Sequence, residues 1–205
     1  MTWFDIICKT SIMKKKEKLE LLYCKSLEVF ARYGYKKTTL DDIAGEIGIT
    51  KPGLYKYVKD KMDLYEKTLS FALLRWQDRV VNAVNREDDI VRKFIVMSQK
   101  GYDYLMEDEL LTEILRKDPT IFPFSTNIVR FREVNQRSLD LIKYILEEGI
   151  KQRKFSKVDI QRTSVLLYSI YRTFIVEAYV ISDAKQIKKI YTDGINLILN
   201  GLIER

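Results

Sequence analysis

Apolar residues recur every three or four positions along almost the whole chain, with polar residues between them. This spacing places the apolar side chains on one face of an α-helix, so the chain is predicted to be helical nearly throughout. A first long helix is predicted from Lys14 to Gly34, since glycine readily adopts the left-handed conformation that ends a helix. No stretch of useful length alternates with the period of two that is typical of a β-strand. The sequence therefore predicts an all-α fold.

Two short helices are predicted next, on either side of a tight turn. The first begins at Thr39, which forms a capping-box pair with Asp42, and ends at Gly48. The second has Thr50 as its N-cap and Pro52 in its first turn, where the missing N–H of proline costs nothing. Two short helices around a tight turn are the pattern of a helix-turn-helix motif.

Further helices are predicted over residues 60–84, 90–106, 109–116, 126–151, 159–182 and 185–203. The break between residues 118 and 123 holds two of the chain's three prolines and is predicted to be a loop. The segment 159–182 is apolar on several sides, so it must be covered on more than one of them.

The composition of the chain limits its possible functions more than its possible folds. The net charge is +7, and the first 67 residues hold 14 Lys and Arg against 10 Asp and Glu, which favours an anionic partner such as nucleic acid or a membrane surface. No apolar run is long enough to span a membrane. The chain has no histidine, and its two cysteines form no metal-ligand pattern, so we expect no enzymatic activity, no metal and no cofactor. The lack of a disulfide framework favours the cytoplasm.

The start of the chain has two interpretations. Residues 1–12 are apolar, but their one basic residue, Lys9, follows the apolar run, whereas a secretory signal places its charge before it. Met13 is followed by three lysines and looks like a translation start. We expect either a short extension, disordered or packed, or a native start at Met13.

Residues 34–64 carry the chemistry that a DNA-reading helix needs. The second short helix presents small, basic and hydroxyl-bearing residues, namely Thr50, Lys51, Gly53, Tyr55, Lys56 and Tyr57. Such residues allow close approach to the groove and donate hydrogen bonds to phosphates, while Leu54 anchors the helix from behind.

This stretch resembles the TetR family of bacterial regulators over about residues 19–66. The resemblance combines four motifs: F-x-x-x-G-Y at Phe30, Gly34 and Tyr35; T-T-x-x-x-I-A at Thr38, Thr39, Ile43 and Ala44; the turn at Gly48; and L-Y-x-Y-x-x-x-K at Leu54, Tyr55, Tyr57 and Lys61. It implies a homodimeric repressor with an N-terminal three-helix helix-turn-helix domain. It also implies a C-terminal helical domain for ligand binding and dimerisation, and release from a palindromic operator by a small molecule.

The resemblance implies that the DNA-binding residues are Thr39, Thr50, Lys51, Pro52, Gly53, Tyr55, Lys56, Tyr57 and Lys61. Thr39, Tyr57 and Lys61 match positions that hold the DNA backbone, and the start of the second short helix matches the part that faces the groove. Lys56 and Val58 stand where many members carry His and Phe, which leaves base preference open. Thr39 and Thr50 could instead be simple N-caps, and Lys56 and Lys61 could be solvated surface residues. For Tyr55, packing against Phe30 is the favoured interpretation.

Aromatic residues in the C-terminal part are candidates to line a pocket for a small, largely apolar ligand: Trp76, Phe94, Tyr102, Phe131, Tyr168, Tyr171 and Phe174. For any single one, a place in the core is the favoured alternative. The candidates for the dimer interface are Tyr168, Ile175, Tyr179, Ile195, Ile198 and Leu202. Phe155 follows a turn that resembles a G-I-x-x-G-x-F motif of many family members, with Arg153 in place of the second glycine.

Three parts are expected: an N-terminal extension over residues 1–13, the helix-turn-helix domain over 14–60, and a ligand-sensing and dimerisation domain over 61–205. Two alternatives stay open. The chain could be a helical interaction module that has lost DNA binding, or a constitutive DNA-binding protein whose core is filled.

Overall fold

The computed structural model is helical along most of the chain. Its elements are α1 (Trp3–Lys37), α2 (Leu40–Ile47), α3 (Lys51–Leu54), α4 (Lys61–Val84), α5 (Ile90–Met106), α6 (Glu109–Lys117), α7 (Arg132–Lys151), α8 (Ile160–Val180) and α9 (Ala184–Leu202). The structure describes residues 3–118, 131–180 and 184–204, and it describes the backbone alone for residues 3–15, 179–180 and 184–185. Over these ranges no β-strand occurs, and the predicted all-α fold is confirmed.

Helix α1 begins earlier than predicted. Its first residue is Trp3, so the expectation that helical structure starts only after Met13 is wrong. Gly34 interrupts the helix, as the sequence predicted, with φ of 76° and ψ of 162°. The hydroxyl and the N–H of Thr38 then donate to the carbonyl of Gly34 at 2.8 and 3.2 Å, which closes the end of the helix.

The two short helices have the caps that the sequence predicted. The Thr39 hydroxyl accepts the N–H of Asp42 at 3.2 Å, and the Asp42 carboxylate accepts the N–H of Thr39 at 2.8 Å. Gly48 ends α2 in the left-handed conformation, with φ of 73°. The Thr50 hydroxyl accepts the N–H of Gly53 at 3.3 Å. Helix α3 is shorter than expected, because the chain turns at residues 55–57 instead of continuing as a helix.

The chain forms two units, residues 1–72 and 73–205, and the division falls inside α4. The core of the first unit centres on three aromatic rings. The rings of Phe30 and Tyr65 meet edge to face with centroids 4.9 Å apart, and Tyr35 lies 4.9 Å from Tyr65 on another side. Buried aliphatic residues from α2 and α3, including Ile43 and Leu54, complete this core. The two short helices are thereby held on a rigid base.

The second unit contains α5 to α9 and the end of α4. Helices α7 and α8 pack side by side, and α9 packs against α8 and α5. A turn after α7 inserts Phe155 into the core, where its ring meets Phe94 edge to face at 6.0 Å. The predicted start of α7 near Thr126 and the predicted proline loop lie outside the described residues. In the part of the chain that is described, no helix combines the length and apolarity needed to cross a membrane.

Candidate nucleic-acid interface and cavity

Helix α3 is anchored by one side chain and otherwise faces outward. Leu54 is fully buried, whereas Thr50, Lys51, Pro52 and Lys56 are all exposed. This division follows from the short length of α3, since four residues offer a single inward position. The backbone at the start of α3 is therefore accessible, which close approach to a DNA groove requires.

Lys51 is tied to the preceding helix. Its ammonium lies 2.7 Å from the Asp41 carboxylate, and both side chains are largely exposed. The hydrogen bond and the charge of Asp41 raise the pKa of Lys51, so the lysine is protonated at neutral pH. An exposed pair of this kind is worth little in stability. Lys51 can exchange Asp41 for another hydrogen-bond acceptor at small cost.

Thr39 lies at the N-terminus of α2, where the first N–H groups of the helix point outward. Its hydroxyl also donates to the Asp42 carboxylate at 2.7 Å. These hydrogen bonds from Thr39 hold the pKa of Asp42 below its usual value. Thr39 is thus an N-cap, as the simpler interpretation held, and its exposed position at a helix N-terminus also suits a phosphate.

The two tyrosines after α3 differ in exposure. Tyr55 is 50% exposed, so the prediction that it packs against Phe30 is wrong. Phe30 packs against Tyr35 and Tyr65 instead, and the turn at residues 55–57 directs Tyr55 away from the core. Tyr57 is half-buried, and its carbonyl accepts a hydrogen bond from the ammonium of Lys67 at 3.2 Å. Both tyrosines are left in positions compatible with contact to the DNA backbone.

Lys61 makes contacts that the sequence did not suggest. Its ammonium donates to the carbonyls of Tyr35 at 2.9 Å and Thr38 at 3.0 Å. It also lies 4.5 Å from the centre of the Tyr35 ring, within the range of a cation–π contact. Two of the three N–H groups of the ammonium are used in this way, which leaves one for a phosphate oxygen.

A cavity lies among the helices of the second unit, with about 630 Å³ of volume free of protein atoms, part of it open to solvent. Its wall is mainly apolar, with side chains from α4, α5, α7, α8 and α9. Four of the predicted pocket residues line it: Trp76, Phe94, Tyr168 and Tyr171. The structure does not place Tyr102, Phe131 or Phe174 at this wall. Tyr102 and Phe174 instead pack against the ring of Tyr191, and Phe131 lies at the start of α7.

The tyrosines of the cavity wall donate their hydroxyl hydrogens to other protein groups. Tyr168 donates to the Asn135 side chain at 2.7 Å, Tyr171 to the Gly101 carbonyl at 3.0 Å, and Tyr191 to a backbone carbonyl of α5 at 3.1 Å. Burial raises the pKa of Tyr168 to about 12 and that of Tyr191 further still. The Tyr168 and Tyr191 hydroxyls are therefore neutral, and all three hydroxyls are already paired.

Sequence reasoning missed four polar residues at this wall: Gln77, Ser98, Arg137 and Ser138. A signal for Gln77 was present, because it interrupts the apolar stripe of α4 between Trp76 and Val80 at a position with core spacing. A polar residue in such a position is buried at a cost unless its groups are paired.

Most residues of the predicted dimer interface are buried within one chain. Ile175 is fully buried within one chain, and Tyr168, Ile195 and Leu202 are also buried. The prediction that these four meet a partner is wrong, because α8 and α9 turn them toward other helices of the same unit. Ile198 is half-buried, and the Tyr179 side chain lies outside the described residues.

Exposed apolar residues occur on other faces of α8 and α9. Leu166 is 57% exposed and Leu197 is 74% exposed, and Val165 and Ile190 are exposed as well. On α9, Ile190, Gly194, Leu197 and Gly201 follow each other at helical spacing along one face. A side chain added at either glycine would meet nothing within 4 Å.

Comparison with known proteins agrees with this geometry. Residues 25–68 match the family model of bacterial regulatory proteins of the tetR family. The chain is 26% identical to IcaR of Staphylococcus aureus, an HTH-type negative transcriptional regulator of the biofilm operon icaADBC, over 63% of this chain and 70% of that protein.

Two solved structures show the same fold. A TetR-family regulator from Pectobacterium atrosepticum has a TM-score of 0.77 at 17% identity, over 93% of this chain and 96% of that one. FadR of Bacillus subtilis, in complex with stearoyl-CoA, has a TM-score of 0.72 at 18% identity, over 89% of this chain and 98% of that one. The likeness places the short helices around Gly48 in a helix-turn-helix domain.

Proposed function

Because the chain belongs to the TetR family of DNA-binding transcription regulators, we propose that it is a homodimeric repressor that leaves its operator when a small molecule binds. The observation that carries this proposal is the outward-facing start of α3. Thr50, Lys51 and Gly53 lie beside a tight turn, with Leu54 buried behind them. This arrangement suits insertion into the major groove. The similarity to IcaR, a negative regulator, favours repression over activation.

Contacts with DNA divide into two kinds. Thr39, Tyr57 and Lys61 are proposed to hold phosphates, which sets the position of α3 but carries no base information. Lys51, Gly53 and Lys56 are proposed to face base edges or the groove floor, where an exposed lysine can donate to guanine acceptors. Pro52 and Tyr55 add exposed contact surface beside them.

A homodimer is proposed through the exposed apolar faces of α8 and α9. Leu166 and Leu197 are exposed on α8 and α9, and the glycines of α9 permit close approach of a second helix. Pairing of α8 and α9 with their copies would form a four-helix bundle on a two-fold axis. Such a dimer reads two half-sites of a palindromic operator about 34–36 Å apart.

Ligand response is proposed to start in the cavity of the second unit. Its apolar wall suits a small molecule, because removing apolar surface from water drives such binding. The structurally similar FadR was solved with stearoyl-CoA, which supports a ligand role for this fold. The ligand must prefer the conformation with low DNA affinity, or it cannot release the operator. We propose that these events take place in the cytoplasm.

The test has two stages, and the first concerns DNA. The purified protein should enrich specific fragments of its source genome at a salt concentration of about 0.15 M. Lys56→Ala should weaken binding to the enriched fragment and relax the preference for one base pair within it. Lys151→Ala removes an exposed lysine of the second unit and should change neither. If no fragment is enriched, the repressor proposal fails.

The second stage concerns the ligand. Apolar small molecules should lower the affinity of the protein for the enriched fragment. Leu141→Trp fills part of the cavity from a half-buried position, so it should abolish this response while leaving DNA binding without ligand unchanged. A response that persists in Leu141→Trp would place the ligand elsewhere, and no response at all would favour constitutive DNA binding.

A further inference from the structure

One buried polar atom in the cavity wall has no hydrogen-bond partner. Gln77 is 4% exposed, and its Oε1 accepts no hydrogen bond within the described residues. Leaving such an acceptor unpaired is costly, because water no longer solvates it. This acceptor is therefore open to a donor that the described residues do not supply.

The orientation of the Gln77 amide is set by its neighbours. Its Nε2 donates to the Val134 carbonyl at 2.7 Å and to the Ser138 hydroxyl at 2.7 Å. The carbonyl of Val134 can only accept, so the nitrogen and not the oxygen must face it. Both amide hydrogens are thereby used, and Oε1 is an acceptor alone.

The charge on the cavity wall is balanced. Among the described residues that line the cavity, Arg137 alone carries a formal charge, and its guanidinium is paired with the Asp78 carboxylate. An anion would have to compete with Asp78, and a cation would find no acidic side chain on the wall. The cavity therefore favours an uncharged ligand.

The donors of the wall are largely committed to protein acceptors. The Trp76 indole N–H donates to the Gly101 carbonyl at 3.1 Å, and Tyr168, Tyr171 and Tyr191 donate as described above. A ligand that brings only acceptors thus finds little to bind. A ligand that brings a donor finds Gln77 Oε1.

Building on the proposed ligand response, we propose that the cavity selects uncharged, largely apolar molecules that carry a hydroxyl or N–H donor, and that Gln77 Oε1 accepts this donor. Gln77 is then the residue that determines specificity. The stacked rings of Trp76 and Tyr171, with centroids 6.2 Å apart and planes 6° from parallel, form part of the apolar wall for the rest of the molecule.

The experiment compares three probes of similar size: 4-propylphenol, its methyl ether 4-propylanisole, and 4-propylbenzoate. Binding to the full chain is measured by titration calorimetry. The phenol should bind about tenfold more tightly than the ether, which corresponds to one hydrogen bond to a buried acceptor. The benzoate should bind more weakly than the phenol, because its carboxylate would have to compete with Asp78 for Arg137.

Two variants test whether the preference for the phenol over the ether depends on Gln77 Oε1. Gln77→Met keeps the length of the side chain and removes the acceptor, so the preference for the phenol over the ether should fall to about one. Ser138→Ala is the matched control, because it removes a partner of Nε2 but leaves Oε1, and the preference should remain. A crystal structure of the unmodified protein with the phenol adds a readout that does not depend on the variants. It should place the phenolic oxygen within hydrogen-bond distance of Gln77 Oε1.

The outcomes separate the two proposals. Equal binding of the phenol and the ether, tighter binding of the benzoate, or a phenol seated away from Gln77 in the crystal would overturn the role of Gln77, while ligand response would stand. If none of the three probes binds, the cavity is not a ligand site, and the ligand part of the proposed function falls with the inference.

Discussion

The ammonium of Lys61 lies 2.9 Å from the carbonyl oxygen of Tyr35 and 4.5 Å from the centre of the same residue's ring. With its contact to Thr38, this lysine ties the first turn of α4 to the last turn of α1 and to the residue that follows it. A residue proposed to hold a phosphate therefore also holds the helix-turn-helix domain together.

Lys61→Ala should have two separate effects. Loss of the carbonyl and ring contacts should lower the free energy of unfolding by about 1–2 kcal/mol. Loss of a phosphate contact should reduce the salt slope of operator binding by about one. The exposed Lys59 provides the control, since Lys59→Ala should leave stability unchanged. Denaturant unfolding and DNA titrations at several salt concentrations measure both effects. An unchanged slope would restrict Lys61 to a structural role.

Two glycines of the helix-turn-helix should respond differently to alanine. Gly45 lies inside α2 with nothing within 4 Å of an added Cβ, so Gly45→Ala should raise the free energy of unfolding by about 0.5–1 kcal/mol without changing operator affinity. At Gly53 the added Cβ would lie 3.3 Å from the Thr50 hydroxyl and on the surface proposed to face DNA. Gly53→Ala should weaken operator binding or change base preference. Equal operator affinity in both variants would remove Gly53 from the interface.

The turn after α7 offers a second pair of substitutions. A Cβ on Gly149 would lie 2.0 Å from the Phe155 ring, so Gly149→Ala must displace that buried ring and should cost about 2–3 kcal/mol. Arg153 has φ of 56°, a conformation that favours glycine, and Arg153→Gly should raise stability by about 0.5–1 kcal/mol. Thermal unfolding of both variants is the measurement. A destabilised Arg153→Gly would mean that the arginine side chain contributes more than its backbone strain costs.

The exposed apolar face of α9 makes the oligomeric state testable. Leu197→Glu places a charge on this face without touching the core, so it should yield folded monomers with operator affinity lower by about 100-fold. Leu110→Glu changes an exposed leucine of α6 and should leave the dimer intact. Sedimentation at micromolar concentration decides between the two states. If the unmodified protein is itself a monomer there, the dimer proposal is wrong.

The sequence by itself predicted the features that depend on local interactions. Helical periodicity, the capping box of Thr39 and Asp42, the N-cap at Thr50 and the left-handed turn at Gly48 all involve residues within four positions of each other. Such signals need no knowledge of the rest of the fold, which is why the helix-turn-helix and its family were predictable. The cavity was harder to predict, and only four of the seven aromatic candidates line it, because aromatic residues at helical spacing are equally typical of a filled core.

Only the tertiary structure decided which way a side chain faces when more than one side of its helix is apolar. Ile175 was expected at a dimer interface and is buried within the chain, while Leu197 is exposed. Tyr55 was expected in the core and faces outward, because α3 ends at Leu54. Each of these outcomes depends on packing between segments far apart in the sequence. The hydrophobicity of a residue predicts that it will be buried, but it does not predict which neighbour will cover it.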